Sequence, residues 1–289
     1  MVNASLLSMK SFMSLRYQTL GFILRSYRSL PTLRLTANQT INEADFLAIE
    51  SVLEVRVDKE FVAAFVCSPG LEEELAIGYL LSTGIIGSLT DISKIRHANH
   101  RCNIKVRKGV TPETQRGFSQ VRRFIGTECS APEVLRELRT AEGVPSIIKT
   151  IDIELSTLFE IAGKLRDAQT DRKRTGAFHG ALIHSLADNE YVFAEDIGRH
   201  NAVDKTIGQA ARQGFDLTKC LVFTSGRLTA DIVSKCAWTS IPLLVSFSVS
   251  TDAGVKFAQR ANLTLVGAFK GRSMRVYNQG ACEIISSKE

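Results

Sequence analysis

The pattern that most constrains the fold is a regular alternation of helical and strand-like segments after about residue 153. An amphipathic segment over Leu155–Ala168 comes first. The later segments are, in chain order, a helix over 201–212, a strand over Cys220–Thr224, a helix over 228–239, a strand over Leu243–Phe247, a helix over 252–261 and a strand over Leu263–Ala268. Such alternation is typical of βα units, in which helices cover a sheet. The sequence therefore predicts an α/β fold for its second half.

The rest of the chain predicts hairpins joined by single helices. The predicted elements are a hairpin of Leu53–Val57 with Phe61–Val66, a helix from Leu71 to Gly84, a hairpin of Ile92–Ala98 with Cys102–Arg107, a loop-rich stretch over 109–128, a helix over 131–141 and a hairpin of Ala177–Leu186 with Tyr191–Ala194. We place the boundary between two regions at Val144–Ser146. The predicted division is a smaller N-terminal α+β region over 43–145 and a C-terminal α/β region over 146–289.

The positive charge of the chain is concentrated at its start. The formal net charge is +6 and the isoelectric point is about 9.0, values that raise the question of nucleic-acid binding. Five bases precede the first acidic residue, Glu43, and removing them from the total of 36 leaves 31 bases against 30 acidic residues. The body of the chain is thus nearly neutral, and we expect no nucleic-acid partner.

The basic leader over residues 1–42 is expected to lie outside the fold. It is rich in Ser and Arg and lacks acidic residues, which is typical of an organelle transit peptide. An upstream start codon, or a tail that packs as a local helix, explains the same composition. No stretch approaches about 18 consecutive apolar residues, so we expect no membrane-spanning helix and no membrane partner.

The six cysteines exclude several kinds of site. No two are arranged as CxxC, which excludes zinc ribbons, thioredoxin-type redox sites and the deaminase zinc ligands, and we expect no bound metal. Cys129 differs from the others because it follows Arg122–Arg123 and directly precedes a predicted helix. Both features stabilise a thiolate, which is the nucleophilic form of cysteine. Cys129 is therefore a candidate for sulfur chemistry, with a spectator surface thiol as an equal alternative.

Polar clusters stand at the ends of several predicted strands. They are Arg172–Gly180 with His179, the segment Glu195–Lys205 with Arg199 and His200, Thr224–Arg227, and the hydroxyl-rich exit Ser246–Asp252. Strand ends of open α/β sheets line the ligand crevice, and glycine, hydroxyl and arginine groups suit phosphate oxygens. Together these loops predict a nucleotide-like ligand, although ordinary helix capping by Asn201 and a surface pair of Glu195 with Arg199 are local alternatives.

The motifs resemble those of the FdhD/NarQ family of formate dehydrogenase accessory sulfurtransferases. The residues that carry the resemblance are Glu73–Leu81 with Gly84–Ile86, Thr175–His179, the eleven-residue segment Glu195–Lys205, Ser225–Arg227 and Asn262–Gly267, in family order. The resemblance covers about residues 45–280. It implies a cytoplasmic homodimer whose C-terminal domain has the three-layer α/β/α fold of cytidine deaminases. The deaminase zinc signature is absent, since Gly180 and Ala181 follow His179, so neither zinc nor deamination is implied.

The resemblance also implies an activity and a set of site residues. Such a protein accepts sulfur from a cysteine desulfurase as a persulfide and passes it to the molybdenum or tungsten bis-guanine-dinucleotide cofactor, which formate dehydrogenase requires. Cys129 would carry the sulfur. The cofactor-binding residues would be Val245, Ser246, Phe247, Ser248, Val249 and Ser250, with Arg199, His200, Arg227 and His179 beside them. We hypothesise that Arg199, Arg227 and Lys205 face pyrophosphate, and that His179 and His200 either move protons or hold the loops.

One departure from the family pattern keeps a second function open. Many members have a Cys-Gly-x-Cys-Gly loop, whereas this chain has Glu128–Glu133, with Cys129 at the first cysteine position and Pro132 at the second. If the loop is aligned with a gap, Cys129 matches the second position instead. One thiolate suffices for persulfide transfer, but the missing cysteine also fits a chaperone that delivers cofactor without sulfur chemistry.

A third alternative, a metal-dependent nucleobase hydrolase, would need metal ligands that this sequence does not offer.

Overall fold

The computed structural model describes residues 26–109, 123–125, 145–148 and 151–286. The strands are β1 Tyr27–Leu35, β2 Thr40–Ala48, β3 Ser51–Val57, β4 Glu60–Cys67, β5 Ile92–Ala98, β6 Arg101–Val106, β7 Arg123–Ile125, β8 Ile151–Glu154, β9 His179–Ser185, β10 Tyr191–Asp196, β11 Cys220–Thr224, β12 Leu243–Ser246, β13 Thr264–Lys270, β14 Ser273–Asn278 and β15 Cys282–Ile285. The helices are α1 Glu72–Ser82, α2 Leu155–Ala168, α3 Thr170–Thr175, α4 Arg199–Arg212, α5 Ala230–Trp238 and α6 Asp252–Arg260. The predicted mixed α/β class is confirmed.

A six-stranded sheet forms the centre of the C-terminal region, with the order β10-β9-β11-β12-β13-β14. β11, β12 and β13 run parallel, while β9, β10 and β14 extend the sheet by antiparallel pairing. Successive residues of β11 are buried on opposite faces: Val222 packs in the core shared with α1, α4, α5 and α6, and Phe223 packs in the core shared with α2. A strand buried on both faces is apolar throughout, which is why Cys220–Thr224 was recognisable from sequence.

The N-terminal region contains a five-stranded sheet with the order β5-β6-β3-β4-β7. Both predicted hairpins, β3 with β4 and β5 with β6, are present as antiparallel pairs. β6 lies parallel to β3, and β7 lies parallel to β4. Helix α1 packs on one face of this sheet, where the rings of Phe65 and Tyr79 meet edge to face at 4.9 Å.

The two regions share one core, because α1 packs closely against α4. A Cβ atom on Gly78 would stand 1.8 Å from the carbonyl oxygen of Asp204, and one on Gly208 would stand 2.0 Å from that of Glu74. Only glycine permits so close an approach of two helix backbones. The apolar residues of α1 therefore enter the same cluster as Ala202 and Ile207 of α4.

The expectation that residues 1–42 lie outside the fold is wrong for residues 27–42. β1 and β2 pair in register from Tyr27 with Ala48 to Leu35 with Thr40. The Arg174 guanidinium of α3 lies over the rings of Tyr27 and Phe46, at 5.2 and 5.0 Å from their centroids, and donates to the Tyr27 hydroxyl at 2.6 Å. Arg34 of β1 forms an ion pair with Glu43 of β2, across the hairpin, at 2.9 Å. Residues 1–25 lie outside the described part of the chain.

Other differences concern elements whose stability comes from distant residues. The basic run Arg172–Arg174, interpreted as a loop, belongs to α3, which ends at Gly176 with φ of +73°. β14 and the parallel pair of β8 with β15 were not predicted. The predicted helix over 131–141 lies outside the described residues, as does the loop-rich stretch over 109–128 except for its first residue, Gly109, and β7. The division at residue 145/146 and the cytidine-deaminase likeness stay predictions.

Candidate functional site

The strand ends that carry polar clusters meet at one edge of the six-stranded sheet. β9 begins there at His179, which pairs with Asp196 at the end of β10. Thr224, at the end of β11, pairs with Ser246 at the end of β12, and the backbone N–H of Ser225 donates to the Gly180 carbonyl at 2.9 Å. The sheet therefore brings the four sequence-predicted segments together, which agrees with the expectation that strand-end loops lie at one edge.

Asp196 organises the loop that precedes α4. It is fully buried and accepts hydrogen bonds from the backbone N–H groups of Ser68 at 3.0 Å and Gly198 at 2.8 Å, and from the Asn201 amide at 2.9 Å. Lys205, which is 1% exposed, forms an ion pair with it at 2.7 Å. Lys205 is thus committed to a buried pair, and the hypothesis that it faces pyrophosphate is wrong. The helix N-cap is Gly198 and not Asn201.

Glu195 stabilises α3. Its carboxylate accepts from the backbone N–H groups of Asp171 at 2.9 Å and Arg172 at 2.8 Å. Carboxylates at a helix N-terminus satisfy N–H groups that lack a partner within the helix. The structure therefore gives Glu195 a capping role in place of the surface pair with Arg199 that the sequence left open.

His179 stands at the centre of the edge, surrounded by cationic side chains. Its Nδ1 lies 3.3 Å from the Ser225 hydroxyl oxygen, which also accepts from the Gly180 N–H at 3.0 Å. Burial, and after it the positive charges of Arg172, Arg199, His200 and Arg227, together lower the pKa of His179 to about 4. His179 is thus neutral at pH 7, and the same positive field that keeps it neutral favours an anionic ligand.

Arg199 and Arg227 differ in exposure. Arg199 is 8% exposed, and its side chain packs over Gly226, where a Cβ atom would stand 2.9 Å from the Arg199 Cβ. Arg227 is exposed. The sequence thus places one buried arginine and one exposed arginine beside the same turn.

His200 contacts α5 rather than solvent. Its Nε2 lies 3.7 Å from a carboxylate oxygen of Asp231. Burial lowers the pKa of His200, and the interaction with the Asp231 carboxylate opposes that shift. The pKa of His179, about 4, argues against proton transfer by that ring near neutrality. The contact of His200 with Asp231 fits a loop-holding role.

The loop after β12 is fixed by hydrogen bonds to the turn after β11. The Ser246 hydroxyl donates to the Gly226 carbonyl at 2.6 Å, and the Ser250 hydroxyl donates to the Leu228 carbonyl at 3.1 Å. Val245 is fully buried, so its side chain belongs to the core. Phe247 packs against Phe223 at 4.8 Å between ring centroids, while Ser248 is half-buried and Val249 is 48% exposed.

Two neighbours of the site were not found from sequence. The Arg166 guanidinium lies over the Phe247 ring, 4.9 Å from its centroid, although nothing in the last turn of α2 marks that residue. Ser68 joins Asp196 and Lys205 through its hydroxyl at 2.9 and 3.1 Å. Ser68 lies between the predicted strand Phe61–Val66 and the predicted helix from Leu71, and a serine beside a turn carries no signal for a partner 128 residues away.

A cavity of about 590 Å³ is lined in part by Phe193, Ala194 and Glu195 of β10. It lies between the β1–β2 hairpin, the Ser68–Leu71 turn and α3, and its lining includes Tyr27, Phe46, Arg174, Glu195 and Lys205. His179, Arg199 and Arg227 do not line it. The cavity thus adjoins the Glu195–Lys205 segment but not the side chains of His179, Arg199 and Arg227.

The cysteines divide into five buried thiols and Cys129. Cys67, Cys102, Cys220, Cys236 and Cys282 are each fully buried and unpaired in disulfides. Burial raises the pKa of each of these thiols to about 12. Cys129 lies outside the described residues, so its predicted role is not tested by the structure.

None of the helices described here is long and apolar enough to cross a membrane.

The fold and the site define an α/β protein with a cationic strand-end site of a kind that suits a phosphate-bearing ligand. The FdhD/NarQ family model matches residues 48–282, and the chain belongs to this family. The resemblance noted in the sequence is therefore confirmed.

Relatives named sulfur carrier protein FdhD match most of the chain. That of Mycolicibacterium paratuberculosis is 31% identical over 256 residues, covering 85% of this chain and 94% of the relative. That of Anaeromyxobacter dehalogenans is 30% identical over 262 residues, covering 82% and 88%. A crystal structure from Desulfotalea psychrophila, described as a formate dehydrogenase accessory protein, shares this fold with a TM-score of 0.71 at 21% identity, covering 88% of this chain and 98% of that one.

Proposed function

We propose that this protein is a sulfur carrier that takes sulfur from a cysteine desulfurase and passes it to a molybdenum or tungsten bis-guanine-dinucleotide cofactor. The recipient of the finished cofactor is formate dehydrogenase. Family membership and the names of the relatives, sulfur carrier protein and formate dehydrogenase accessory protein, support this role. We further propose that the protein acts as a homodimer in the cytoplasm.

The observation that carries the proposal concerns the five described cysteines. A thiol whose pKa is about 12 has about one thiolate in 10⁵ molecules at pH 7, and the thiolate is the form that attacks a persulfide. Each of these thiols is also fully buried, so no donor protein can reach it. Of the six cysteines in the sequence, Cys129 is the remaining candidate for the sulfur-carrying thiol.

The first step is an exchange at sulfur. The Cys129 thiolate attacks the terminal sulfur of the donor persulfide, a new S–S bond forms on Cys129, and the S–S bond of the donor breaks. The donor cysteine leaves as a thiolate, and Cys129 becomes a persulfide. Because the terminal sulfur can pass directly to an acceptor, a second cysteine in the loop is not required.

The strand-end site is proposed to hold the nucleotide part of the cofactor, which is a substrate here. Arginine guanidinium groups bind phosphate oxygens through two parallel hydrogen bonds, and Arg199 and Arg227 flank the same turn. His179 is neutral, so it would contribute a hydrogen bond rather than a charge. The loop Ser246–Ser250 lies beside that turn through its hydrogen bonds to Gly226 and Leu228.

A cofactor-binding chaperone without sulfur chemistry is the second candidate. It is favoured by the single cysteine of the Glu128–Glu133 loop, and it uses the same strand-end site. The two functions differ only in whether Cys129 is needed.

The test compares Cys129→Ser with Cys102→Ser in a bacterial strain that lacks its own family member. We expect Cys129→Ser to lose both sulfur labelling from ³⁵S-cysteine and rescue of formate dehydrogenase, while Cys102→Ser, which alters a buried thiol, keeps both. Full labelling of Cys129→Ser would show that another atom carries the sulfur. Lost labelling with full rescue would establish the chaperone function instead.

A further inference from the structure

The β5–β6 hairpin carries a concentration of positive charge that the strand-end site does not use. Residues 92–108 contain six lysines and arginines and no acidic residue. The cations are Lys94, Arg96, Arg101, Lys105, Arg107 and Lys108, and all six are exposed. The hairpin is thus strongly basic within a body whose overall charge is close to zero.

The strand register gathers most of these cations on one face. Ile95 pairs with Ile104, which is buried beneath α1. Because side chains alternate between faces, the adjacent pair of Lys94 with Lys105 points to the opposite, open face. Arg96 and Arg101 lie on the same open face, since Arg96 pairs with Asn103 and Arg101 with Ala98.

Arg56 of β3 extends this surface, because it pairs with Asn103 across the sheet. We call Arg56, Lys94, Arg96, Arg101 and Lys105 the basic sheet face. Among strands β3, β5 and β6 the acidic residue is Glu54, which forms ion pairs with Arg56 and, at 3.2 Å, with Arg101. Three of the five cations face no acidic residue on these strands.

Protection of the sheet edge does not explain this arrangement. Lysines on an edge strand prevent unwanted strand pairing, and β5 is an edge strand, but β6 lies between β5 and β3. Like charges placed directly opposite on neighbouring strands are destabilising, and Lys94 stands opposite Lys105. The fold thus carries a repulsive pair that its own stability does not require.

We propose that the basic sheet face docks an acidic surface of the sulfur donor, an inference that rests on the proposed function. β7 belongs to the same sheet and lies three strand positions from β6, about 14 Å at the usual strand spacing. Cys129 follows the end of β7 by four residues, which span at most about 14 Å. An interface of about 800 Å² per partner is roughly 28 Å across, so one partner can cover the basic face and reach that cysteine.

The surface fits a protein better than a nucleic acid. Proteins that bind single strands combine cations with several aromatic side chains on which bases stack. Residues 92–108 contain no Phe, Tyr or Trp, and Phe61, which pairs with Arg56, is a single exposed ring at the border of the face. Complementary charge at a protein interface mainly accelerates association and weakens with added salt. The docking should therefore depend strongly on ionic strength.

The test measures binding of the full chain to the cysteine desulfurase of the same genome at 50 and 200 mM salt. The variant Lys94→Gln/Arg96→Gln/Lys105→Gln removes three cations from the face. Its matched control, Lys219→Gln/Lys256→Gln/Arg260→Gln, removes two lysines and one arginine that are exposed elsewhere. We expect the face variant to raise the Kd at least tenfold at 50 mM salt and the control to change it less than twofold.

Three outcomes would overturn the docking proposal. They are unchanged binding by the face variant, absence of binding by the unaltered chain, and tighter binding of a 20-nucleotide single-stranded RNA that the face variant abolishes.

A second variant separates binding from folding. Lys94→Glu replaces the repulsive pair by an attractive one, so we expect the Tm to rise by about 1–3 °C while the Kd for the desulfurase rises. A fall in Tm would show that Lys94 and Lys105 do not repel each other, and it would contradict the premise on which the docking proposal rests.

Glutathione persulfide distinguishes failure of the docking proposal from failure of the proposed function. It transfers its terminal sulfur to the Cys129 thiolate and leaves as glutathione thiolate, without needing the basic face. We expect the face variant to load from glutathione persulfide at the normal rate and from the desulfurase at least tenfold more slowly. Equal loading from both donors overturns the docking alone, and no loading of the unaltered chain from either donor overturns sulfur transfer itself.

Discussion

At the scale of single residues, the buried pair of Lys205 with Asp196 connects segments that are far apart in the sequence. The Lys205 ammonium also donates to the Ser68 carbonyl at 2.9 Å, and Asp196 holds the loop that leads to Arg199. Every charge in this group has a partner and every partner is buried. The pair therefore fixes the position of the site loop and leaves no charge there for a ligand.

Replacing Lys205 by Met should destabilise the protein strongly, because Asp196 would remain buried without its counter-charge. Breaking a buried pair on one side costs about 3–5 kcal/mol, which chemical denaturation measures. Lys219→Met is the control, since Lys219 pairs with Asp216 at 3.5 Å on the surface with both side chains nearly half exposed, and such pairs contribute about 1 kcal/mol at most. Equal losses for the two variants would contradict this account of Lys205.

The pKa of His179 predicts how one part of the stability depends on pH. Its folded value of about 4 lies below the ordinary value of 6.5, so between these pH values the unfolded chain binds more protons than the folded chain. The contribution of His179 is therefore complete above about pH 6.5 and is lost as the pH falls toward 4. His179→Gln should flatten the decline of unfolding free energy across this window.

The measurement is urea unfolding of both proteins at several pH values, with NMR titration of the His179 ring. A ring that titrates at or above pH 6.5, or an identical decline for the two proteins, would contradict the positive environment assigned to the site.

At the scale of elements, the crossing of α1 and α4 is the contact that joins the two regions. Gly78 and Gly208 place the backbone of each helix against a carbonyl of the other. The apolar residues that follow on both helices are buried as a result.

Gly78→Ala should therefore destabilise the protein by at least about 2 kcal/mol, because the added methyl group meets backbone that cannot move aside. Gly163→Ala provides the control within α2, since nothing lies within 4 Å of its Cβ position. There the substitution should stabilise by about 0.5–1 kcal/mol, the cost of glycine inside a helix. Thermal and denaturant unfolding measure both, and a neutral Gly78→Ala would show that the crossing is looser than described.

Elements with a local sequence signal were predictable, and elements held by distant partners were not. The apolar run of Cys220–Thr224 and the periodicity of Leu155–Ala168 identify a strand and a helix without other information. α3 is a helix because Glu195, 24 residues after Asp171, caps its N-terminus, and no local pattern shows this. The charged residues of β1 are all basic, and Arg34 finds its acidic partner, Glu43, across the hairpin. β1 therefore also depends on a partner that its own sequence does not show.

The same distinction applies to the site. The convergence of strand-end loops followed from the predicted α/β alternation, because parallel strands end at the same edge. Which cation faces the ligand did not follow, since the sequence of Glu195–Lys205 does not reveal that Lys205 points inward to Asp196. Burial of a charge depends on packing that a linear pattern does not contain.

At the scale of the whole molecule, one hydrophobic cluster runs from the N-terminal sheet through α1 and α4 to the C-terminal sheet. Its members include Leu53 and Phe65 on one side and Val222 and Leu244 on the other. Regions that share a core in this way lose stability together.

The protein should therefore unfold in one cooperative transition. Differential scanning calorimetry, with the van't Hoff and calorimetric enthalpies compared, tests this. Two separate transitions, or a fragment over 146–289 that folds with native stability, would show that the regions are independent.

The central claim is that sulfur travels on Cys129, and trapping the persulfide tests it most directly. The full chain is incubated with the cysteine desulfurase and ³⁴S-cysteine, blocked with iodoacetamide and digested, and the peptide that contains Cys129 is examined by mass spectrometry. We predict an alkylated persulfide with one additional ³⁴S atom on Cys129 and none on the five buried cysteines. A Cys129 peptide that carries only the alkyl group, from a chain that still activates formate dehydrogenase, would contradict the account.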